Sequence, residues 1–198
     1  MALMSNVEVF RPKSGYYLFG FVVFIALGMV WQSTSGDLHN ILSTLAWAAA
    51  LCSLAYLIYV RPKVVISNHG IEVVNAVVDS KIGWHDVQDI RTKYSMAIVT
   101  DARTIYATAA PAPGRYHARS LHKAELKGVN VPLQDQLRPG DSPRAHSGVA
   151  AHLTRTRWQE FQRDGGETFT TETHVNRTAA SVPAALLLIA TILSFVHF

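Results

Sequence analysis

Cysteine is almost absent from this 198-residue chain, and so are the motifs of common enzymes. The single cysteine, Cys52, lies inside an apolar run, which excludes a disulfide framework and a soluble thiolate metal site. The formal net charge of +4 is too small and too scattered to indicate a nucleic-acid partner. The chain has no Gly-x-Ser-x-Gly elbow, no phosphate-binding glycine-rich loop and no His-Glu-x-x-His pair. We therefore expect no enzymatic activity.

Positive charge is missing from two particular places. Three apolar runs, at residues 15–33, 41–60 and 177–198, approach or reach the length of about 20 residues that crosses a bilayer. None of the 18 lysines and arginines lies between the first two runs or after Arg177. Positively charged loops stay in the cytoplasm. The sequence therefore predicts a multi-pass plasma-membrane protein whose N-terminus is cytoplasmic and whose C-terminus is exterior.

The first apolar run has a second interpretation, as a signal peptide with Arg11 and Lys13 as its charged leader. No small-residue cleavage site follows the run, and a second run begins shortly after it. We therefore interpret residues 1–62 as an N-terminal segment and a transmembrane helical hairpin. Glycine in the first helix and alanine in the second favour close packing of the two.

The middle of the chain has the short alternating runs of an antiparallel β-sheet. Residues 63–133 hold several such runs separated by turn residues. Trp84, Val87 and Ile90 are expected in the hydrophobic core, where burial of each contributes roughly 1.5–3 kcal/mol. The pattern predicts a cytoplasmic β-sandwich or open barrel.

After this β domain the composition first indicates a linker and then a helix. Residues 134–148 are rich in Pro, Gly, Ser and Asp and predict a flexible linker. Residues 149–164 predict an amphipathic helix, in which Trp158 either closes the open end of the sheets or stays exposed as a partner contact. With the third apolar run, 177–198, the predicted fold class is an α+β membrane protein: a transmembrane hairpin, the β domain with its C-terminal helix, and a third transmembrane helix.

The centre of the β region has a recognisable sequence, Ile82-Gly83-Trp84-His85-Asp86-Val87-Gln88-Asp89-Ile90. This sequence lies at the centre of a predicted small β-meander that one helix follows. The whole arrangement resembles the bacterial pleckstrin-homology (PH)-like domains. More narrowly, the chain resembles the actinobacterial low-molecular-weight antigen 6 type, in which a membrane hairpin precedes the PH-like region. The resemblance covers residues 64–113, and the third apolar run departs from it. Eukaryotic PH domains often bind phosphoinositides near their first two strands, but the corresponding turn here, Asn68-His69-Gly70, holds no lysine or arginine.

A basic segment at residues 115–127 is the candidate for lipid contact, together with Lys63. Its cations recur every four residues, at Arg115, Arg119, Lys123 and Lys127. If the segment is helical, each cation adds about 1 kcal/mol of attraction to an anionic membrane surface. The alternative is a solvated basic loop, because the apolar residues of the segment form no clean second face.

The nine histidines do not predict a metal site. The nearest pairs, His117 with His122 and His146 with His152, lack the spacing that places two ligands on one helix face. We expect no metal and no cofactor.

The predicted function follows from the topology. A domain tied to the bilayer at both ends does not need lipid affinity to reach it. We therefore expect a non-catalytic scaffold or accessory subunit of a membrane protein complex, whose partner is another membrane protein or a second copy of the chain. The alternative is a sensor of anionic lipid headgroups at the cytoplasmic face.

Overall fold

The computed structural model describes residues 7–112 and 145–196. The chain divides into two compact units, one made of strands with a single helix and one made of long apolar helices. The first unit consists of Met1–Pro12 and Pro62–His174, and the second of Lys13–Arg61 and Val175–Phe198.

Three helices in the second unit are long and apolar enough to cross a membrane. They are α1 (Lys13–Ser33), α2 (Leu38–Ala55), which a π-helical turn continues to Val60, and a C-terminal helix, Arg177–Phe195. Their bounds agree within a few residues with the three apolar runs of the sequence. Most of their large side chains are exposed within this unit, as lipid-facing residues would be.

The ends of α1 and α2 meet closely. The side chain of Asp37 caps α2 by accepting a hydrogen bond from the backbone N–H of Asn40 at 3.0 Å. At the other end of the pair, a Cβ atom on Gly15 would overlap the carbonyl of Tyr59. The two helices are therefore antiparallel, and glycine at position 15 allows their backbones to approach.

The C-terminal helix packs on α2 in the opposite direction. Near its end, the hydroxyl of Ser194 accepts a hydrogen bond from the indole N–H of Trp47 at 2.9 Å and lies 3.3 Å from the hydroxyl of Ser43. Since Ser43 lies near the start of α2, Trp47 near its middle and Ser194 near the end of the C-terminal helix, the C-terminal helix begins beside the end of α2. The cations Lys13, Arg61 and Arg177 therefore lie at one end of the bundle.

The first unit contains a five-stranded sheet in the order β1-β2-β3-β4-β8. Its strands are β1 (Glu8–Phe10), β2 (Lys63–Ser67), β3 (Gly70–Val74), β4 (Val78–Gly83) and β8 (Glu172–Val175). The sequence analysis assigned residues 1–62 to the N-terminal segment and hairpin, yet Glu8–Phe10 pairs with β2. A strand of three residues is too short to show a period of its own. Strand β8, with four residues, was not predicted for the same reason.

A second antiparallel sheet has the order β5-β6-β7. Its strands are β5 (Asp89–Arg91), β6 (Ser95–Val99) and β7 (Thr104–Pro111). A short 3-10 turn, Trp84–Asp86, leads from the first sheet towards the second. Both sheets are open, so the domain is a sandwich of two sheets and not a closed barrel.

The hydrophobic core lies between the two sheets and one helix, α3 (His146–Asp164). The three residues expected there, Trp84, Val87 and Ile90, are 1 %, 5 % and 2 % exposed. The indole N–H of Trp84 donates to the carbonyl of Ser67 at 3.0 Å, so its burial leaves no donor unpaired. Helix α3 starts three residues before the predicted 149, so the predicted linker 134–148 ends in a helix. The C-terminal apolar helix, Arg177–Phe195, is α4.

Two arginines hold α3 against the strands. Arg155 is buried and donates to the carbonyl of Ile90 at 2.7 Å. Arg157 contacts Glu8 of β1 at 2.9 Å and Glu160 at 3.0 Å. Burial alone would lower the pKa of Arg157, but the hydrogen bonds to Glu8 and Glu160 outweigh it and the net pKa is raised. Arg157 therefore stays charged, and α3 holds the edge strand β1 through an ion pair.

Candidate functional site

The predicted lipid-contact residues fall largely outside the described part of the chain. Lys63 begins β2 and is half-buried. The other four cations belong to residues 115–127, which lie outside the described residues. The structure thus places one member of the predicted group, and contact of that group with lipid stays a prediction.

Trp158 lies on α3 and packs against the hydrophobic core together with Leu153 and Phe161. It is partly buried, so much of its indole surface is already used inside the domain. This packing is compatible with one of its two predicted roles, closure of the open end of the sheets, which stays a prediction. Its role as a partner contact stays a prediction.

The turn between β2 and β3 is covered by the chain itself. Residues 167–171, here called the covering segment, cross over it. The backbone N–H of Phe169 donates to the carbonyl of His69 at 2.8 Å, and the two rings lie 5.9 Å apart. The hydroxyl of Thr171 accepts from the N–H of Gly83 at 3.0 Å. The β2–β3 turn is therefore covered by residues of the chain itself.

Two glycines allow the covering segment to lie so close. Gly70 has a φ of 151°, which side-chain-bearing residues rarely adopt. A Cβ on Gly83 would overlap the carbonyl of Phe169 and the hydroxyl of Thr168. Close contact of the covering segment with the end of β4 thus requires glycine at position 83.

An open trough of about 410 Å³ lies on the outer face of the second sheet. It is lined by Asp89, Arg91, Lys93, Tyr94, Ser95, Ala97, Thr104 and Tyr106. These residues come from all three strands and from the turn between β5 and β6. The sheet therefore supplies both the floor and the walls, and the trough is fixed by strand register.

The register explains the concave shape. Ala97 in the central strand pairs with Arg91 on one side and with Tyr106 on the other. Paired residues in neighbouring strands point to the same face. A small side chain is thus flanked by two long ones, and a depression follows β6. Neighbouring strands lie about 4.8 Å apart, so the two walls are separated by about 10 Å.

The walls combine aromatic and charged groups. Tyr94 is 72 % exposed and Tyr106 is 53 % exposed, so both rings are accessible in the folded domain. The Nε of Arg91 lies 2.7 Å from a carboxylate oxygen of Asp89. The ammonium of Lys93 lies 5.2 Å from the centroid of the Tyr94 ring. Among the described residues, Lys93 therefore contacts an aromatic face rather than a carboxylate, and its charge faces the trough.

The outer edge of β7 carries a side-chain cap. The amide nitrogen of Asn75 donates to the carbonyl of Tyr106 at 2.8 Å. Its oxygen accepts from the backbone N–H of Thr108 at 2.9 Å. These are the edge groups that an added strand would use, so pairing of a partner strand at this position would have to displace Asn75.

A second cleft, of about 360 Å³, lies between the β2–β3 turn and the end of α3. Its charged residues are engaged with one another or with neighbours: Arg157 with Glu8 and Glu160, and Asp164 with Arg163. The hydrogen bond from Arg163 is the main cause that lowers the pKa of the exposed Asp164. We regard this cleft as structural.

No metal site is formed by the part of the chain that the structure describes, because no three His, Cys, Asp or Glu side chains come together there. The prediction that the chain uses no cofactor stays a prediction.

The trough was missed by the sequence analysis. The alternation of Thr104, Tyr106 and Thr108 around buried Ile105 and Ala107 was visible and indicates a polar outer face. The depression itself depends on Ala97 lying between Arg91 and Tyr106, which is a matter of register between strands. A single sequence does not specify that register.

Comparison with known proteins identifies one segment. Residues 61–135 match the family model described as a bacterial PH domain. No curated protein matches this chain, and no solved structure matches it. This match supports the PH-like domain that the resemblance predicted for this part of the chain. The narrower resemblance to the low-molecular-weight antigen 6 type stays a prediction.

Proposed function

We propose that this bacterial PH-domain protein is a non-catalytic scaffold or accessory subunit of a membrane protein complex. PH-like domains in general bind lipids or proteins and are not catalysts. The observation that favours a scaffold here is the set of short joints between the domain and the three apolar helices. Each helix is joined to a strand of the same sheet.

The joints are short. Two residues separate β1 from α1, two separate the π-helical end of α2 from β2, and one separates β8 from α4. The strands concerned are both edges of the five-stranded sheet and the strand beside one edge. A domain connected covalently to three apolar helices remains tethered to them, so reversible recruitment by a lipid would be redundant.

Permanent attachment is useful for holding a protein partner. Confinement of the domain and a partner to the same membrane raises the effective concentration at which they meet. Weak contacts then suffice for assembly. The three apolar helices, with their small residues, offer a second surface for packing against partner helices.

We further propose the orientation in which the domain is cytoplasmic. Lys13, Arg61 and Arg177 lie at one end of the helical unit, whereas residues 34–37 at its other end contain no cation. The excess of positive charge at one end supports a cytoplasmic N-terminus and PH domain and an exterior C-terminus.

The alternative function, a sensor of anionic headgroups, rests on the basic residues at 115–127 and on Lys63. The apolar helices alone would bind vesicles of any charge. Changing Arg115, Arg119, Lys123 and Lys127 together to Gln would then abolish the additional binding of the full chain to anionic vesicles. The covered β2–β3 turn counts against headgroup binding at the place where eukaryotic PH domains often bind phosphoinositides.

The experiment that separates the two functions is a pull-down of the full-length chain in mild detergent, with mass spectrometry of both proteins and lipids. A stoichiometric membrane protein supports the scaffold. Enrichment of an anionic lipid without a protein partner contradicts it and supports the sensor.

A further inference from the structure

We propose that the trough on the β5-β6-β7 sheet binds an extended acidic segment of the partner protein. This inference rests on the proposed scaffold function and names the surface and the partner chemistry. Three observations support it: the shape of the trough, the composition of its walls and the position of Lys93.

The shape suits an extended chain. The floor is formed by Ser95 and Ala97 of β6, which lie about 7 Å apart along the strand at about 3.3 Å per residue. The walls formed by Arg91 and Tyr106 lie about 10 Å apart, which leaves room for one peptide backbone with its side chains between them. Ala97 at the centre keeps the floor low, although its own surface is only 3 % exposed between its longer neighbours.

The composition of the walls favours protein over lipid. Tyr and Arg are enriched at protein interfaces and among the residues that contribute most to binding. A phosphorylated headgroup would need several converging cations, yet Arg91 is bonded to Asp89 on the same wall. The carboxylate of Asp89 would repel a multiply charged phosphate and is compatible with a peptide carrying single, spaced charges.

Lys93 supplies the charge selectivity. Its ammonium lies over the Tyr94 ring at the end of the trough, and it is exposed. A glutamate or aspartate of the bound segment would gain a charge-assisted hydrogen bond there without displacing an existing ion pair among the described residues. Thr104, Ser95 and the tyrosine hydroxyls are available for the polar groups of the peptide.

The test uses the full-length chain in bacterial cells, with the photoreactive residue p-benzoylphenylalanine in place of Tyr106. The matched control carries it in place of Val9, which is 56 % exposed on the outer face of the other sheet. We expect cross-linking from position 106 and not from position 9. Mass spectrometry should map the cross-link to a segment of another protein that contains Asp or Glu.

Charge reversal makes the test specific. Lys93→Glu should abolish the cross-link, and changing the mapped acid of the partner to Lys should restore it. With a fluorescent peptide of the mapped sequence, Lys93→Gln should weaken binding to the detergent-solubilised chain about fivefold or more. Ala97→Leu should fill the floor of the trough and weaken peptide binding further. Lys93→Gln changes an exposed side chain and remains informative if Ala97→Leu fails to fold.

Four results would overturn the inference. They are a cross-link to residues 113–144 of the same chain, a cross-link to lipid, no cross-link from position 106, and a cross-link that Lys93→Glu leaves unchanged. If the pull-down finds a stoichiometric partner but position 106 gives no cross-link, the proposed binding role of the trough is wrong and the scaffold function stands. If neither finds a protein, both proposals fail.

Discussion

The side-chain oxygen of Asn75 accepts two hydrogen bonds from Thr108, one from its backbone N–H at 2.9 Å and one from its hydroxyl at 2.8 Å. Asn75 follows β3 in the first sheet, and Thr108 lies on β7 in the second. One side chain therefore joins the two sheets and occupies the edge groups of β7. This link gives the sandwich a specific polar contact outside its apolar core.

The first prediction concerns this link. Asn75→Ala removes the partner of the Thr108 amide and of the Tyr106 carbonyl, which are exposed to solvent, so we expect the free energy of unfolding to fall by about 0.5–1.5 kcal/mol. The measurement is urea unfolding of the full chain in detergent, monitored by tryptophan fluorescence. The control, Asn68→Ala, changes an exposed asparagine in the β2–β3 turn. Equal stabilities of the two variants would show that the link contributes little.

The second prediction concerns the covering segment. Gly83→Ala places a methyl group against the carbonyl of Phe169, so we expect residues 168–175 to detach from β4. Hydrogen–deuterium exchange of the full chain should then show faster exchange for the amide of Phe169, which is bonded to His69. Gly20→Ala is the control, because nothing lies near a Cβ at that position. Unchanged exchange in Gly83→Ala would mean that the segment shifts without detaching.

The elements with a strong period were predictable from the sequence. Three apolar runs predicted the three long helices, and the pattern around Trp84, Val87 and Ile90 predicted a buried centre between two sheets. Hydrophobic burial decides both features, and burial leaves a signal in the sequence. The open form of the sheets was also within the predicted fold class.

Contacts between distant parts of the chain were not predictable. Glu8–Phe10 forms an edge strand only because it meets β2, more than fifty residues later in the sequence. The covering segment depends on Gly83 and on a hydroxyl at Thr171, and neither residue reveals its partner in a single sequence. The trough depends on the register that places Ala97 between two long side chains. Register is set by packing and turn geometry rather than by local preference.

The third prediction concerns the helical unit. Ser194→Ala removes the acceptor for the indole N–H of Trp47, and interhelical hydrogen bonds of this kind contribute about 0.6 kcal/mol on average. We expect a small loss of stability of that size on titration with sodium dodecyl sulfate, followed by circular dichroism. Ser181→Ala is the matched control, since its hydroxyl bonds to Thr178 within its own helix. A larger loss in the control than in Ser194→Ala would contradict the assigned link.

The fourth prediction concerns orientation and uses a chain in which Cys52 is replaced by Ala. Cysteine at Ser35, in the turn between α1 and α2, should react with a membrane-impermeant maleimide in intact cells if that turn is exterior. Cysteine at Ala102, in the exposed turn between β6 and β7, should react only after the cells are opened. Both turns are short and exposed, so access alone does not distinguish them. Labelling of Ala102→Cys in intact cells, with Ser35→Cys protected, would place the PH domain outside. A cytoplasmic partner for the trough would then be impossible, because a segment on the other side of the bilayer could not reach Lys93.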